Sequence, residues 1–458
     1  MSEADSLRPA AVEAATATSA RFGVAFGRRF FLLLAIGFIW LVPAFVNLRL
    51  GYAVLAWDGL VLLAWVADLA RLPRPSDLRV TRSWSAPLAL SVACDVELVL
   101  TNLSGTPVGA TLVDAIPRQL CTEPLRVEIR APAHGQARAS YSIRPLERGD
   151  VTVGDTWVRY QRSLGIAERW VKAPLAQTVR VYPNLEEARR QAVYLVRSRQ
   201  TALERRLTHT RGTGREFESL REYREGDEFR DICWTATARR GKLVTRTYQV
   251  ERSQTIWIVV DSGRLMRARI GELSKLDYAA TAALSLAEVA LYTGDRVGLL
   301  AYGRTVRHRV PAARGSAHLR LLVEQLADVR EEAPEADHLL AASRLLGDQK
   351  RRCLVVWLTD LAETAMTPEV VEAAQMMPRH LVLFVAIGQP DLATMAGREP
   401  ANLAEMYQTA AAQEMAHRRE MLLARMRDRG VLTIEAESAS LSPTLVNAYL
   451  AIKERNRI

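Results

Sequence analysis

Two aspartates stand where apolar runs of this sequence stop. Asp261 ends TIWIVVD (255–261), and Asp360 follows CLVVWLT (353–359). A run that is apolar at nearly every position has no wet face, so each predicts a strand buried in a parallel sheet covered by helices on both sides. In such sheets ligands sit just beyond the carboxyl ends of the strands. If these two strands are neighbours, their carboxylates converge there and can share a hard cation such as Mg²⁺, which takes oxygen ligands. Other chemistries find less footing. Gly263 stands where an aspartyl phosphotransferase would need its second carboxylate, no P-loop is present, and the GTG at 212–214 lacks the third glycine of a dinucleotide fingerprint.

The elements that must position these carboxylates alternate regularly. After 255–260 the pattern predicts a helix at 274–292, a strand at 296–302 and helices at 317–329 and 337–346. A strand at 353–358, a helix at 368–377, a strand at 381–387, a helix at 401–429, a strand at 431–436 and a helix at 443–454 follow. Strands and helices in this order mean a doubly wound α/β domain over 255–458. Within 416–429, Met421, Leu422, Leu423 and Met426 interleave with arginines, as in a helix laid over a sheet. His338 lies near the rim, in a surface or capping role.

Upstream, 78–183 reads as short alternating runs at 96–103, 110–116, 126–132 and 139–146, separated by turn residues. This predicts an antiparallel β-sandwich, with no cluster of catalytic side chains, as a binding or spacer module. Residues 184–254 connect the two, with a helix expected at 185–206. The four cysteines (Cys94, Cys121, Cys233 and Cys353) are widely spaced and read as buried thiols rather than a zinc site or disulfides.

At 458 residues the chain has room for roughly three units. Its net charge of +10 is unevenly placed: Arg8, Arg21, Arg28 and Arg29 precede an apolar block, and Arg71, Arg74, Arg79 and Arg82 follow another. That distribution points to lipid and not to nucleic acid, for which a groove of interleaved aromatic and basic residues is missing. Residues 1–29 read as a flexible tail. Residues 30–70 read as a transmembrane hairpin of two helices: 30–46 carries no charge, a tight turn at 47–50 follows, and 51–70 is apolar but for Asp58 and Asp68. Arginine on both outer flanks places them, and the bulk of the chain, on the cytoplasmic side. Asp68 fits the boundary beside Arg71. Asp58, inside the span, fits a shallow position near the turn or pairing within an oligomer.

The α/β region resembles the von Willebrand factor A domain, whose metal-ion-dependent adhesion site uses Asp-x-Ser-x-Ser, a Thr from a later loop, and a further Asp. Carried over, the first and last aspartates are Asp261 and Asp360. The two Ser positions fall on Gly263 and Leu265, and the Thr position on Ala336 or Asp337. At most three of the five oxygen donors remain, Asp261, Asp337 and Asp360, so the resemblance implies weak or absent affinity for Mg²⁺ or Mn²⁺. The remaining carboxylates then cap helices or bond loop amides.

The preceding segment narrows the resemblance. Leu220, Arg221, Tyr223, Gly226, Asp227, Arg230, Ile232, Trp234, Ala238, Arg239, Tyr248 and Glu251 match a signature of the domain-of-unknown-function 58 family, with Thr237 where that family has Ser. Read physically, Arg221, Arg230 and Arg239 beside Asp227, Asp231 and Glu251 form either an arginine–carboxylate lattice or a face for an anion or partner. The resemblance implies a two-pass protein of the bacterial inner membrane, without catalysis of its own, that works as an adaptor with a MoxR-type AAA+ ATPase and its client proteins. The alternative is a divalent-metal-dependent ligand-binding domain or enzyme using Asp261, Asp337 and Asp360.

Overall fold

The computed structural model describes residues 13–16, 18–40, 51–121, 125–184, 216–224, 229, 232–249, 254–361, 369–388 and 390–455. The chain forms two compact units, Met1–Asn184 and Leu185–Ile458.

Alternation builds the first unit. In β3 (Leu78–Trp84) and β5 (Cys94–Asn102) every second residue is buried, the period that turns one face of a strand toward a core. One sheet orders β1 (Glu13–Thr16), β3, β5 and β8 (Gly135–Ile143). The other orders β2 (Thr18–Phe26), β11 (Ala167–Ala173), β10 (Thr156–Gln161), β6 (Val108–Asp114) and β7 (Leu125–Ala131). Leu78, Val80, Leu98 and Leu100 of the first sheet pack against Leu112, Val158, Tyr160 and Val171 of the second, which makes a sandwich. A small third sheet, β4 (Leu88–Ala89), β12 (Gln177–Tyr182) and β9 (Gly149–Val153), closes a second cluster around Trp84 and Val96.

Two expectations are corrected here. Residues 13–16 and 18–26 are not a tail: β1 pairs with β3 and β2 with β11, because an edge strand in each sheet offered unpaired backbone groups to the N-terminal segment. Arg82 is not part of a lipid-facing basic flank. It sits at an inward position of β3, fully buried, and its guanidinium grips Asp114 of β6 (Nε–Oδ2 3.0 Å, with a second bond from Nη2). It also donates to the carbonyls of Leu175 (2.8 Å) and Gly154 (2.9 Å). Thr156 Oγ1 (2.8 Å) and the Tyr141 hydroxyl donate to the same carboxylate, and burial beside that anion holds the Tyr141 pKa far above its usual value.

Two helices leave this sandwich and return to it at one loop. The backbone amide of Gly27, just before α1 (Arg28–Gly37), donates to Ile166 O (2.7 Å), and Arg29 Nη1 donates to Ser163 O (2.9 Å). At the far end of α2 (Tyr52–Arg71), Asp68 accepts from the amides of Ile166 (3.3 Å) and Ala167 (3.1 Å). Asp68 is thus buried, bonded to the start of β11 and not to solvent at a membrane boundary. The helices touch along their length: Trp57 Nε1 donates to Leu33 O (2.9 Å), and Gly37 lies so close that a Cβ there would stand 2.6 Å from the Trp57 ring. Among the described residues α2 alone is long and apolar enough to cross a membrane. The expected first span is described as α1 and a short 3₁₀ turn, Phe38–Trp40, and the expected turn at 47–50 lies outside the described residues.

The second unit carries the signature segment as a hairpin of β13 (Glu216–Glu222) and β14 (Val244–Gln249) with α3 (Trp234–Arg240) between them. The helix expected at 185–206 lies outside the described residues. After a small hairpin of β16 (Arg269–Ile270) and β17 (Leu273–Ser274), a six-stranded sheet dominates. Its order is β19 (Val306–Ala313), β18 (Arg296–Tyr302), β15 (Thr255–Asp261), β20 (Leu354–Thr359), β21 (Leu381–Gly388) and β22 (Leu432–Glu437). All are parallel except β19, an edge strand with the alternating VRHRVP, which falls outside the elements expected from sequence. Trp257, Val259, Trp357 and Phe384 face α6 (His338–Asp348), α7 (Glu369–Gln375) and α9 (Leu403–Asp428). Against the other face pack α4 (Lys275–Tyr292) and its neighbours α5 (Ser316–Asp328) and α10 (Leu441–Glu454). A further helix of this unit, α8 (Pro390–Ala396), falls outside the elements the sequence pattern predicts and packs on the first half of α9.

Candidate functional site

In order of appearance the strands run 3-2-1-4-5-6, so the sheet reverses direction between β15 and β20. A doubly wound sheet opens its crevice at that switch point, beyond the carboxyl ends. Asp261 and Asp360 stand on its two sides, as the sequence predicts from their strands.

What they do there is set by local partners. Asp261 is buried, and both its oxygens are engaged: Oδ1 accepts from the Gly263 amide (2.7 Å) and Oδ2 from Thr359 Oγ1 (2.5 Å). Burial is the main cause that pushes its pKa up to about 6, and the two hydrogen bonds hold the rise back. Ser262 turns the other way and donates to Tyr302 O (2.9 Å), following the alternation of an extended chain. Asp337 caps α6, its Oδ1 accepting from the Leu340 amide (2.7 Å). Asp360 is held by two cations. Lys275 Nζ lies 2.6 Å from Oδ2, and Arg419 Nη1 lies 2.8 Å from Oδ1, which also accepts from the Leu361 amide (2.8 Å).

These residues do not fit a divalent metal ion. Position 263, where an adhesion site has its first Ser, has no space for a side chain: a Cβ there would stand 2.8 Å from both Cβ and N of Ala336. Asp261 and Asp360 spend their oxygens on internal donors, and Asp337 spends one on a helix end. Among the described residues no group of three or more His, Cys, Asp or Glu side chains is placed to hold a metal.

His338 is not a surface residue. It is half-buried at the start of α6, and its Nδ1 lies 2.7 Å from the Tyr302 hydroxyl. Trp357 Nε1 donates to that same hydroxyl (2.7 Å), so the Tyr302 proton goes to His338 and its Nδ1 is the acceptor. Burial is the main cause that lowers the His338 pKa to about 4.

Sequence reasoning missed Thr359, Lys275 and Arg419. Lys275 carried a signal, as a lone cation just inside the capped start of an apolar helix. Arg419 did not, since it stands beside Arg418 in a basic run. A cleft of about 530 Å³ opens beside this apex, between β22, α8 and α9. Arg419, Arg427, Glu420, Glu435 and Glu437 line it, and neither Asp261 nor Asp360 does.

The signature residues are placed only in part. Gly226, Asp227, Arg230, Asp231 and Glu251 lie outside the described residues, as do the side chains of Arg221 and Tyr248, so the arginine–carboxylate lattice falls outside them too. Ile232 and Cys233 are buried, Tyr223 is half-buried with its ring 6.0 Å from that of Phe229, and Trp234, Phe229 and Arg239 are exposed.

One further feature stands out at this end of the sheet. Helix α9 runs antiparallel to the strands and carries Leu423 and Met426 into the core. Arg419 reaches the top of the sheet, where its Nη2 donates to Ile387 O (2.7 Å). Leu403 lies about 24 Å further along the helix at 1.5 Å per residue. The first half of α9, braced by α8 through Gln413 Nε2 and Ala396 O (2.9 Å), therefore projects past the strand ends. Its tip exposes Leu403 (65%), Met406 (48%) and Tyr407 (67%) at helical neighbour spacing.

Residues 219–415 match the family model "Protein of unknown function DUF58". Uncharacterized proteins of Mycobacterium bovis and Mycobacterium tuberculosis are 27% identical over 182 residues, 39% of this chain, which spans 56% of their length. Among solved structures, the conserved hypothetical protein BatB from Bacteroides thetaiotaomicron aligns at 12% identity and a TM-score of 0.29, over 44% of this chain and all of that one. Proximal thread matrix protein 1 from the mussel byssus aligns at 13% identity and 0.27, over 43% of this chain and 46% of that one; one of its structures has zinc in its adhesion-site motif. The matched residues run from the signature hairpin through the switch-point apex into the projecting arm.

Proposed function

We propose that this chain is a two-pass adaptor of the bacterial inner membrane whose cytoplasmic α/β unit binds proteins and catalyses nothing itself. Its partner on this reading is a MoxR-type AAA+ ATPase, with which it acts in the assembly or maturation of client complexes. The observation that carries the reading is the projecting arm. A helix whose first half extends past its strand ends with Leu403, Met406 and Tyr407 uncovered presents the anchors that an amphipathic helix lays into a partner's groove. The apex below it supports binding over chemistry, because each of its carboxylates is engaged by an internal donor.

The membrane part of the proposal rests on α2 and on the shared loop. Tyr52, Leu55, Leu60, Leu63 and Val66 are all exposed, so the helix is apolar on its outer surface, as a span is. The start of α1 and the end of α2 are both pinned to residues 163–167, which supports a segment that enters and leaves on one side.

The test is a photocrosslinker placed at position 407 of the full chain in native membranes, with ATP present. Adducts with a MoxR-type ATPase that are lost on Met406→Glu are expected. If no AAA+ ATPase is recovered while the chain is intact in the membrane, the adaptor reading fails.

A further inference from the structure

We propose that the cation of the switch-point apex is built into the chain: the ammonium of Lys275, seconded by the guanidinium of Arg419, balances the strand-end carboxylate of Asp360, and the apex works without a divalent ion. The inference stands on the apex alone and does not depend on the adaptor reading.

Lys275 is placed where an ammonium is disfavoured twice. It is 1% exposed, and burying a charge is costly unless the charge is paired. It is also the first residue of α4, directly after the cap at Ser274, where the helix dipole is positive and favours anions. Asp277, in the same first turn, closes the capping box with Ser274. A short hydrocarbon would fill the space with neither cost. The ammonium is offset by Asp360, whose Oδ2 lies 2.6 Å away.

Arg419 completes the arrangement from a third element. Its fork spans Asp360, Ile387 O and, through Nε at 2.6 Å, Glu435. Asp360 therefore sits between two cations, and a divalent ion brought to it would stand within a few ångströms of both, where like charges at low dielectric repel strongly. Asp261 is a poorer ligand for such an ion, since Gly263 and Thr359 already bond its oxygens. The consequence reaches the arm. Lys275 belongs to α4, Asp360 to the loop after β20, and Arg419 to α9, so the cluster that roots the projecting helix is tied by protein charges that chelators cannot remove.

The wild-type chain in detergent micelles is titrated with Mn²⁺, free ion being read by its paramagnetic signal, and with Mg²⁺ by calorimetry. No saturable uptake at the apex is expected up to millimolar concentration. One saturable Mn²⁺ per chain, displaced by Mg²⁺ and lost in Asp261→Asn or in Asp360→Asn, would overturn the proposal. Uptake that survives both variants lies elsewhere and leaves the apex metal-free, as proposed.

The reverse experiment removes the internal cation. Lys275→Met keeps the stem without the charge, and its melting temperature is expected to fall and then to rise on adding Mn²⁺, while the wild type does not respond. A Lys275→Met chain that melts like the wild type and ignores Mn²⁺ would show that the ammonium balances nothing. The wild-type titration decides by itself where that variant does not accumulate in folded form.

Discussion

The sandwich and the α/β unit each bury a carboxylate against cations, and they do so in opposite ways. Asp114 and Arg82 are enclosed among strands, and the other partners of the guanidinium are the carbonyls of Leu175 and Gly154, in connections between strands, and the Thr156 hydroxyl of β10. Asp360 collects its cations from a helix start and a helix middle, 85 and 59 residues away in sequence. Beside it, Asp261 is held by hydrogen bonds from a neutral amide and a hydroxyl, with a pKa near 6. The first arrangement serves as a lock between two sheets. The second sits at a strand-end crevice, beside a helix that projects outward, and the neighbouring Asp261 has its pKa raised to about 6.

Breaking the lock should give the largest effect. Asp114→Ala leaves the Arg82 charge buried without its carboxylate, a change that costs about 3–5 kcal/mol. Hydrogen exchange over 78–84 and 108–114 should accelerate accordingly. The pair Arg82→Met with Asp114→Leu removes both charges and should recover most of that loss, since an apolar replacement of a buried pair is often neutral. Unchanged exchange in Asp114→Ala would mean that water already reaches the pair, and the contrast with the apex would disappear.

The same two regions show what the sequence held. The sheet strands of the α/β unit were legible because apolar runs end abruptly at Asp261, Gly303, Asp360 and Gly388. The sandwich was legible because its strands alternate. Arg82 was legible too, since Leu78, Val80, Arg82 and Trp84 share one period-2 face, but its neighbours in sequence suggested a basic flank instead. β19 escaped because an edge strand with a proline and charged outward positions resembles a loop. At the apex, the two aspartates announced themselves by position. Lys275, Thr359 and Arg419 acquire their roles only when α4, β20 and α9 are brought together, and no local pattern records that meeting. Asp68 is a similar case: the residue type suggested a water boundary, while the fold gives it two strand amides.

The next effect is a pH dependence at the apex. Asp261 has its pKa raised from the ordinary carboxylate value to about 6, so the folded state prefers it protonated. Its contribution to stability is full below about pH 4 and is lost as pH rises through 6, a swing of up to about 3 kcal/mol at roughly 1.4 kcal/mol per unit. Asp261→Asn keeps an acceptor for the Gly263 amide and cannot ionise. Urea midpoints should therefore show the variant gaining on the wild type between pH 4 and 7, with little difference at pH 4. Parallel curves would mean that the carboxylate is hydrated, and that the crevice is open.

His338 sharpens the comparison by working with the opposite sign in the same window. Its pKa is lowered to about 4, so the folded state prefers the neutral ring. The stability this gives is present above the unfolded value near 6.5 and is lost as pH falls toward 4. The ring is half-buried, so solvent screening reduces the effect to about 1–2 kcal/mol. His338→Asn retains an acceptor where Nδ1 meets the Tyr302 hydroxyl and removes the titration. Against the wild type it should gain stability from pH 6.5 down to 4, which is the reverse of the Asp261→Asn profile. In the wild type the two trends oppose each other, and their partial cancellation masks both groups. Steepening in acid for Asp261→Asn and reversal for His338→Asn would identify the apex as a pair of compensating titrations. Identical slopes in all three chains would reduce it to a second lock, no different in kind from Arg82 and Asp114.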